Sequence, residues 1–234
     1  MKKILFFAFF LLLSSLFLTR VQAQARVLNA GEVARVFDSG TKSTFGIEYR
    51  IYRAYAYSDA GGDYYVVFTE KADKITESGD TINYKIKAFA FQNNSDGLLK
   101  LWEINDFTIK NPGTKEDETS IWFWTKYCEF IDHDNDGYVE PIVVYGTSGI
   151  NKQADGRMKI LVFYKGKKVA IRHQNGTLDF ERNTQVDAAF YTLPAAIQNR
   201  VKAIMEKQVA DDNCIFPVDW QEAMKKKKTQ FDEN

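Results

Sequence analysis

Residues 130–145 have the sequence FIDHDNDGYVEPIVVY, an acidic loop between two apolar segments. Counted from Asp132, acidic residues occupy loop positions 1, 3, 5 and 9, and Gly137 occupies position 6. Calcium loops have this spacing, because alternate side chains of a tight turn point at one centre and glycine allows the sharp bend. The stretch therefore predicts a metal-binding loop that joins two strands.

The predicted ligands of this loop are all oxygen atoms. They are four carboxylates and, at position 7, one backbone carbonyl, from Asp132, Asp134, Asp136, Glu140 and Tyr138. Hard divalent cations prefer such ligands, so Ca²⁺ is the predicted cofactor. A further ligand is either water or a distant acid such as Glu129 or Asp155. His133, at position 2, is expected to point away from the site.

The loop departs from an EF-hand at position 12, where Val143 stands in place of a bidentate glutamate. Pro141 lacks a backbone donor and disfavours a helix after the loop, so Glu140 has to close the site directly or through water. The alternative is an acidic turn without metal, but four carboxylates in so short a loop repel one another unless a cation offsets them. We expect a clamp that holds two strands in register.

Strand patterns surround this loop. Alternating apolar residues predict four strands, separated by short turns, at residues 47–57, 64–69, 81–91 and 98–109. Because the connections are short, these strands should form an antiparallel meander. A polar loop at 110–119 follows. A strand at 121–131 should then enter the acidic loop, residues 141–145 should leave it, and residues 157–172 should form a hairpin.

The last third of the chain has helical periodicity. A helix is predicted after Pro194, with the apolar residues Ile197, Val201, Ile204 and Met205 on one face. Pro217 opens a second, short helix in which Trp220 and Met224 lie four residues apart. Residues 225–228 are lysines, which suit either a solvated helix end or a basic binding patch. The predicted fold is α+β, with about eight strands of mainly antiparallel sheet and C-terminal helices.

The N-terminus has the features of a cleaved secretory signal. Two lysines precede an apolar run at residues 4–18, and Val21 and Ala23 stand at the −3 and −1 positions of a cleavage site. The apolar run is shorter than the ~20 residues that span a bilayer, so no retained anchor is expected. We predict a signal peptide at 1–23, a single domain at 24–234, and a periplasmic, secreted or cell-surface location.

Charge and cysteine content limit the partners and the chemistry. The whole chain has 31 basic and 31 acidic residues, and removal of Lys2, Lys3 and Arg20 with the signal leaves 28 against 31, a net charge of −3. That balance predicts no binding to nucleic acid or to anionic membranes. Cys128 and Cys214 permit either a disulfide in an oxidising compartment or two buried thiols.

No catalytic motif is evident. Residues 146–149, Gly-Thr-Ser-Gly, lack the G-x-S-x-G spacing of a nucleophile elbow, and only His133 and His173 are available as a base for Ser148. We expect no enzymatic activity. Trp122 and Trp124 share one face of a predicted strand, where they form a sugar-stacking platform if exposed and part of the core if buried.

The loop at 130–145 resembles the FG-GAP/VCBS type of calcium loop. Roughly residues 80–220 resemble a family of exported bacterial proteins linked to surface-polysaccharide biosynthesis. That wider resemblance depends on the segment LKLWEI at 99–104, the acidic loop, and the segments KILVFY at 159–164 and AIR at 170–172. It implies a role in the cell envelope and assigns no reaction.

Three functional hypotheses follow. The first is an exported, non-catalytic, calcium-binding interaction module of the envelope, whose partner is an envelope protein or a glycan. The second is a periplasmic inhibitor of a wall-degrading hydrolase, which would need an exposed loop, such as residues 148–155, to enter an enzyme cleft. The third is a glycan-binding protein that uses Trp122 and Trp124, which requires both rings to be exposed.

Overall fold

The structure, a computed structural model, describes residues 25–77, 79–110 and 117–233. The predicted signal segment at 1–23 and the centre of the predicted loop at 110–119 lie outside the described residues. The described chain contains four α-helices: α1 Ala30–Val36, α2 Ser39–Phe45, α3 Ala195–Ala210 and α4 Trp220–Lys225. Among these residues, no helix is long and apolar enough to cross a membrane.

Almost half of the described residues lie in the strands of two antiparallel sheets. The first has the spatial order β1-β2-β3-β4-β5, with strands Arg26–Val27, Arg50–Asp59, Gly62–Ile75, Thr81–Asn94 and Gly97–Phe107. The second sheet contains β6 Ser120–Phe123, β7 Glu129–Ile131, β8 Glu140–Ser148, β9 Arg157–Tyr164, β10 Lys167–Gln174, β11 Asn183–Val186 and β12 Gln230–Asp232. Its order is β12-β11-β10-β9-β8-β6, and β7 also pairs with β8.

The two sheets pack face to face, and each carries helices on its outer face. Phe68 of the first sheet and Phe123 of the second stack at a ring-centroid distance of 4.2 Å in the apolar layer between the sheets. On the outer face of the first sheet, Val67 packs near Phe37, the residue that caps α1. Residues of β8 and β9 pack against α3 on the outer face of the second sheet. The result is a four-layer helix–sheet–sheet–helix arrangement.

Strand β8 lies next to the β6 edge of the second sheet and pairs with β6, β7 and β9. Ile142 and Val144 face the C-terminal helices, and Val143 and Tyr145 face the first sheet. All four are at most 4% exposed, so this strand is apolar on both faces. The acidic loop is therefore attached to the most buried strand of its sheet, which gives it a rigid base.

The predicted α+β class, the meander of β2 to β5 and the two C-terminal helices are confirmed. Ile197, Val201, Ile204 and Met205 of α3 are buried as predicted. Two details differ. The strands form two packed sheets and number twelve among the described residues. The predicted strand at 121–131 is interrupted by a short 3₁₀ turn at Thr125–Tyr127.

The segment at 24–46 gave no clear pattern, yet the structure places α1 and α2 there. Asn29 and Glu32 form a reciprocal capping box at the start of α1, and the Asp38 carboxylate caps α2 by accepting from Thr41 N at 2.7 Å. Seven-residue helices are too short to show an amphipathic period, so their caps are the only local signal.

Candidate metal site

The acidic loop connects β7 to β8, two antiparallel neighbours in the second sheet. Ile131 pairs with Glu140 at the point where the loop leaves and rejoins the ladder. The predicted strand–loop–strand setting is therefore confirmed. Val143, at position 12 of the EF-hand spacing, lies in the core at 0% exposure and is not available as a ligand.

Backbone N–H groups hold the loop carboxylates in place. Asp132 accepts from Asp136 N at 3.1 Å and from Gly137 N at 2.9 Å, and Asp136 accepts from Tyr138 N at 3.0 Å. Asn135 and Gly137 have positive φ angles of 60° and 95°, which fold the loop tightly back on itself. Asparagine and glycine are the residues that tolerate this region best.

Four carboxylates converge inside the loop. One ligand oxygen from each of Asp132, Asp134, Asp136 and Glu140 lies within 4.8 Å of the other three. Glu140 is 2% exposed, and the three aspartates lie nearer to solvent. An all-oxygen set of this size suits a hard divalent cation, and the cluster can hold a metal ion.

The electrostatics of Glu140 reflect this crowding. Burial raises its pKa to about 7, and the negative charges of Asp132, Asp134 and Asp136 act in the same direction. The backbone N–H of His133 donates to Glu140 Oε2 at 2.8 Å and opposes the shift. A bound cation would favour the ionised form of this carboxyl group and offset the repulsion among the four carboxylates.

Three residues outside the loop support it, and none of them was predicted. Asp59, at the end of β2, accepts from Val139 N at 3.0 Å and from Gly61 N at 2.7 Å, so one carboxylate fastens the loop to the β2–β3 turn. Gly137 O accepts from Ala60 N at 2.9 Å in the same region. Lys165, in the β9–β10 turn, lies 3.3 Å from Asp136 and supplies a positive charge.

His133 points away from the carboxylates, as predicted. Its Nε2 atom lies 3.5 Å from Glu129, and Glu129 also forms an ion pair with Arg200 of α3. Burial lowers the pKa of His133. Glu129, one of the two distant acids considered as a further ligand, is thus engaged with a histidine and an arginine.

The other distant acid, Asp155, accepts from Asn151 N at 2.7 Å in a separate turn. Neither Glu129 nor Asp155 belongs to the group of convergent carboxylates. Tyr138 lies in the loop with its ring 50% exposed. The ligand role of its carbonyl stays a prediction.

The other candidate residues occupy structural positions. Trp124 is 6% exposed in the core, so an exposed pair of tryptophans is wrong, although Trp122 is only partly buried. Ser148 Oγ lies 2.9 Å from Thr119 Oγ1. Both ring nitrogens of His173 have partners in Thr184 and Asn175. Cys128 and Cys214 are free thiols.

Comparison with known proteins finds no matching family model, no matching curated protein and no matching solved structure. A functional assignment for this chain therefore has to come from its own residues.

Proposed function

We propose that residues 132–140 bind Ca²⁺ and that the chain is an exported, non-catalytic interaction protein of the bacterial envelope. The observation that carries the metal proposal is the convergence of four carboxylate oxygens within 4.8 Å of one another. The oxygen-only donor set favours Ca²⁺ over softer metals, and the mixture of carboxylates and loop backbone favours it over Mg²⁺, which demands stricter octahedral geometry.

The role of the ion in this proposal is structural. The loop is joined to β7 and β8 at its two ends and to the β2–β3 turn through Asp59. A cation that draws the four carboxylates together stabilises this junction between the two sheets. The expected affinity is modest, with a Kd of roughly 10⁻⁴ to 10⁻³ M as in extracellular calcium modules.

Export is supported by the sequence at residues 1–23, which has the basic, apolar and small-residue regions of a secretory signal. Millimolar Ca²⁺ affinity is useful in compartments outside the cytoplasm, where the ion is plentiful, and this agrees with the envelope setting that the sequence resemblance implies. The proposed partners are an envelope protein or a glycan.

Thermal unfolding tests the metal proposal. EDTA should lower the melting temperature, and Ca²⁺ at about ten times its Kd should restore about 1.4 kcal/mol, or roughly 3–5 °C. Mg²⁺ should restore less. Asp134→Asn should abolish the calcium response, whereas Asp96→Asn, in the exposed β4–β5 turn, should respond like the wild type. An identical response in both variants would refute the site, and equal rescue by Mg²⁺ would refute the preference for Ca²⁺.

Capture of partners from native envelope extract tests the interaction role. A specific partner should be retained by the wild-type chain in Ca²⁺ and lost when EDTA is added or Asp134 is replaced by asparagine. If the same proteins are retained under all three conditions, the interaction surface does not depend on calcium and the proposal is contradicted.

An inhibitor of a cell-wall hydrolase is the second candidate, because the turn after β8 presents an exposed apolar tip. Ile150 is 66% exposed. Two hydrogen bonds stabilise the turn beneath it: Gly149 N donates to Lys152 O at 2.8 Å, and Asn151 N donates to the Asp155 carboxylate at 2.7 Å. A rigid exposed loop is what entry into an enzyme cleft requires. Unchanged lysozyme activity at stoichiometric excess of the protein would exclude this function for that enzyme.

A further inference from the structure

A cleft lies at the end of the first sheet, where β2 begins and β3 ends. Its cavity volume is about 670 Å³, and the residues that line it include Tyr49, Arg50, Tyr52, Glu70, Asn83 and Trp122. Asp59, which contacts the acidic loop, is at the other end of β2. Because a strand rises ~3.3 Å per residue, the cleft and the loop lie roughly 25 Å apart.

A second cavity of about 530 Å³ adjoins the first and shares Tyr52 and Trp122 with it. It continues past Trp124 towards Asn213, just after α3. Both volumes fall within the range of about 300–1,000 Å³ that small-molecule sites occupy. The two cavities thus adjoin at these two rings, and we refer to them together as the Tyr52–Trp122 groove.

The rings of the groove are positioned by their neighbours. Trp122 lies 6.0 Å from the buried ring of Trp124 at an angle of 42°, and Arg53 lies 5.7 Å from the Tyr52 ring. The Tyr52 side chain is nevertheless 40% exposed. Lys71 and Lys87 lie within 5.4 Å of the Tyr49 ring. Rigid aromatic faces of this kind offer contact area at little cost in conformational entropy.

Hydrogen-bonding side chains surround these rings, and their charges balance. Arg50 is the cross-strand partner of Glu70, and Asn83 Nδ2 donates to Glu70 Oε2 at 3.0 Å. Glu48 and Lys71 add one further charge of each sign. Burial raises the pKa of Glu70. This neutral balance does not select an anion or a cation, and it suits a ligand rich in hydroxyl groups.

The backbone is irregular at this groove. The β2–β3 register shifts between Ile51 and Arg53, so that Tyr52 is an extra residue, and the β3–β4 register shifts on either side of Ala72. β-Bulges re-aim side chains and are common beside binding sites. Within the described chain, Asn83 Oδ1 is a buried acceptor without a hydrogen-bond partner. Such atoms call for a bound water or ligand nearby.

From these observations we infer that the Tyr52–Trp122 groove binds a neutral saccharide chain. A sugar ring has an apolar C–H face and a rim of hydroxyls, so it fits an aromatic face bordered by carboxylate, amide and guanidinium groups. Two adjoining cavities of about 670 and 530 Å³ offer room for more than one sugar residue. The inference rests on the proposed interaction role and gives that role a ligand class, at a surface separate from the acidic loop.

Calorimetric titration with cellohexaose, chitohexaose and maltohexaose tests the groove. At least one should bind saturably, and more tightly than the corresponding disaccharide, because both halves of the groove are then occupied. Tyr52→Ala should weaken binding by about tenfold, since it removes the shared aromatic face. Glu70→Gln, which keeps a hydrogen-bonding group of the same shape, should weaken it by removing the charge. Tyr52 is exposed, so its variant should melt like the wild type.

Phe180→Ala is the matched control, because that ring is also exposed, at 74%, but lines neither cavity. Its binding should be unchanged. The inference is overturned if none of the three hexasaccharides binds, if Phe180→Ala loses as much affinity as Tyr52→Ala, or if peptides and not saccharides bind in a Tyr52-dependent manner. If no sugar binds but the melting temperature depends on calcium, the saccharide inference is wrong and the metal proposal is unaffected.

Discussion

At the scale of single residues, Gly137 shows how the acidic loop depends on its backbone. Its φ angle of 95° is strained for any other residue, although a Cβ at this position would meet only Ala60 at 3.6 Å. Gly137→Ala should therefore destabilise the protein by about 1–2 kcal/mol in EDTA, through backbone strain and not through a clash.

Urea unfolding measures this change, with Gly40→Ala as the control. Gly40 lies in α2 without a positive φ, and its Cβ would make an ordinary 3.5 Å contact with Asp38. That variant should be neutral or slightly stabilising, because alanine favours a helix. Equal losses in the two variants would contradict a role for the Gly137 conformation.

His173 is a second residue whose environment has a measurable consequence. Its ring is 2% exposed, and burial lowers its pKa to about 4 from an ordinary value of 6.5. Asn175 Nδ2 donates hydrogen bonds to two backbone carbonyls, which fixes the orientation of the amide. Asn175 Oδ1 is therefore the atom that accepts from His173 Nε2. The folded protein therefore holds a neutral imidazole protonated on Nε2.

Acid should weaken the fold through His173. Between pH 6.5 and about 4 the unfolded chain binds a proton on His173 that the folded chain does not bind, so the stability contributed by His173 falls by roughly 3 kcal/mol as the pH falls through this window. Glu140, whose pKa is raised, acts in the opposite direction, so the His173 contribution is read from the difference between variants. His173→Gln should flatten the dependence in a series of urea titrations. His133→Gln should leave the His173 contribution in place, and a wild-type slope in the His173 variant would exclude this explanation.

At the scale of elements, a buried ionic network connects the two sheets. Arg157 of β9 donates to Asp106 of β5 at 3.2 Å and to Glu118 at 2.6 Å, and both acids are 7% exposed. Lys159 and Tyr145 also donate to Asp106, at 2.6 and 3.0 Å. Burial opposes ionisation of Asp106, but Lys159 and Arg157 hold its pKa below the usual range.

Arg157→Met should cost about 3–5 kcal/mol, because it leaves the buried Glu118 carboxylate without its counter-charge and Asp106 with Lys159 alone. Arg172→Met is the control. Arg172, on the adjacent β10, forms a 2.7 Å pair with Asp187, but both side chains are more than a third exposed. Its loss should cost less than about 1 kcal/mol. Denaturant unfolding of the two variants decides between these values, and similar losses would show that burial does not set the strength of the network.

Local pattern was enough to predict the strand–loop–strand unit, the meander and α3, because each depends on residues close in sequence. The contacts between sheets were not predictable in this way. Asp59 reaches Val139 across 80 positions, and Arg157 reaches Glu118 across 39. Nothing near Asp59 distinguishes it from an ordinary turn aspartate. The groove at Tyr52 and Trp122 likewise exists only once two sheets have packed.

At the scale of the whole molecule, the two cysteines belong to the apolar layer between the second sheet and the C-terminal helices. Cys214 is 2% exposed there, and the half-buried Cys128 Sγ accepts from Val144 N at 3.3 Å. Burial raises the pKa of Cys128 to about 12 and raises that of Cys214 as well. Thiols react as thiolates, so both should be inert in the folded protein even in an oxidising compartment.

Because of this packing, the rate at which the two thiols react should measure global unfolding. A thiol-specific reagent should label neither cysteine in the native protein and both in denaturant, without prior reduction, because opening this layer requires separation of α3 from the second sheet. Dithiothreitol should leave the melting temperature unchanged. A denatured, unreduced chain that exposes no thiol and has a mass lower by two hydrogens would instead prove a Cys128–Cys214 bond. The free energy of unfolding of the Cys128→Ser and Cys214→Ser variants would then measure how much this bond stabilises the fold. For so long a loop, the loss of chain entropy in the unfolded state predicts a few kcal/mol.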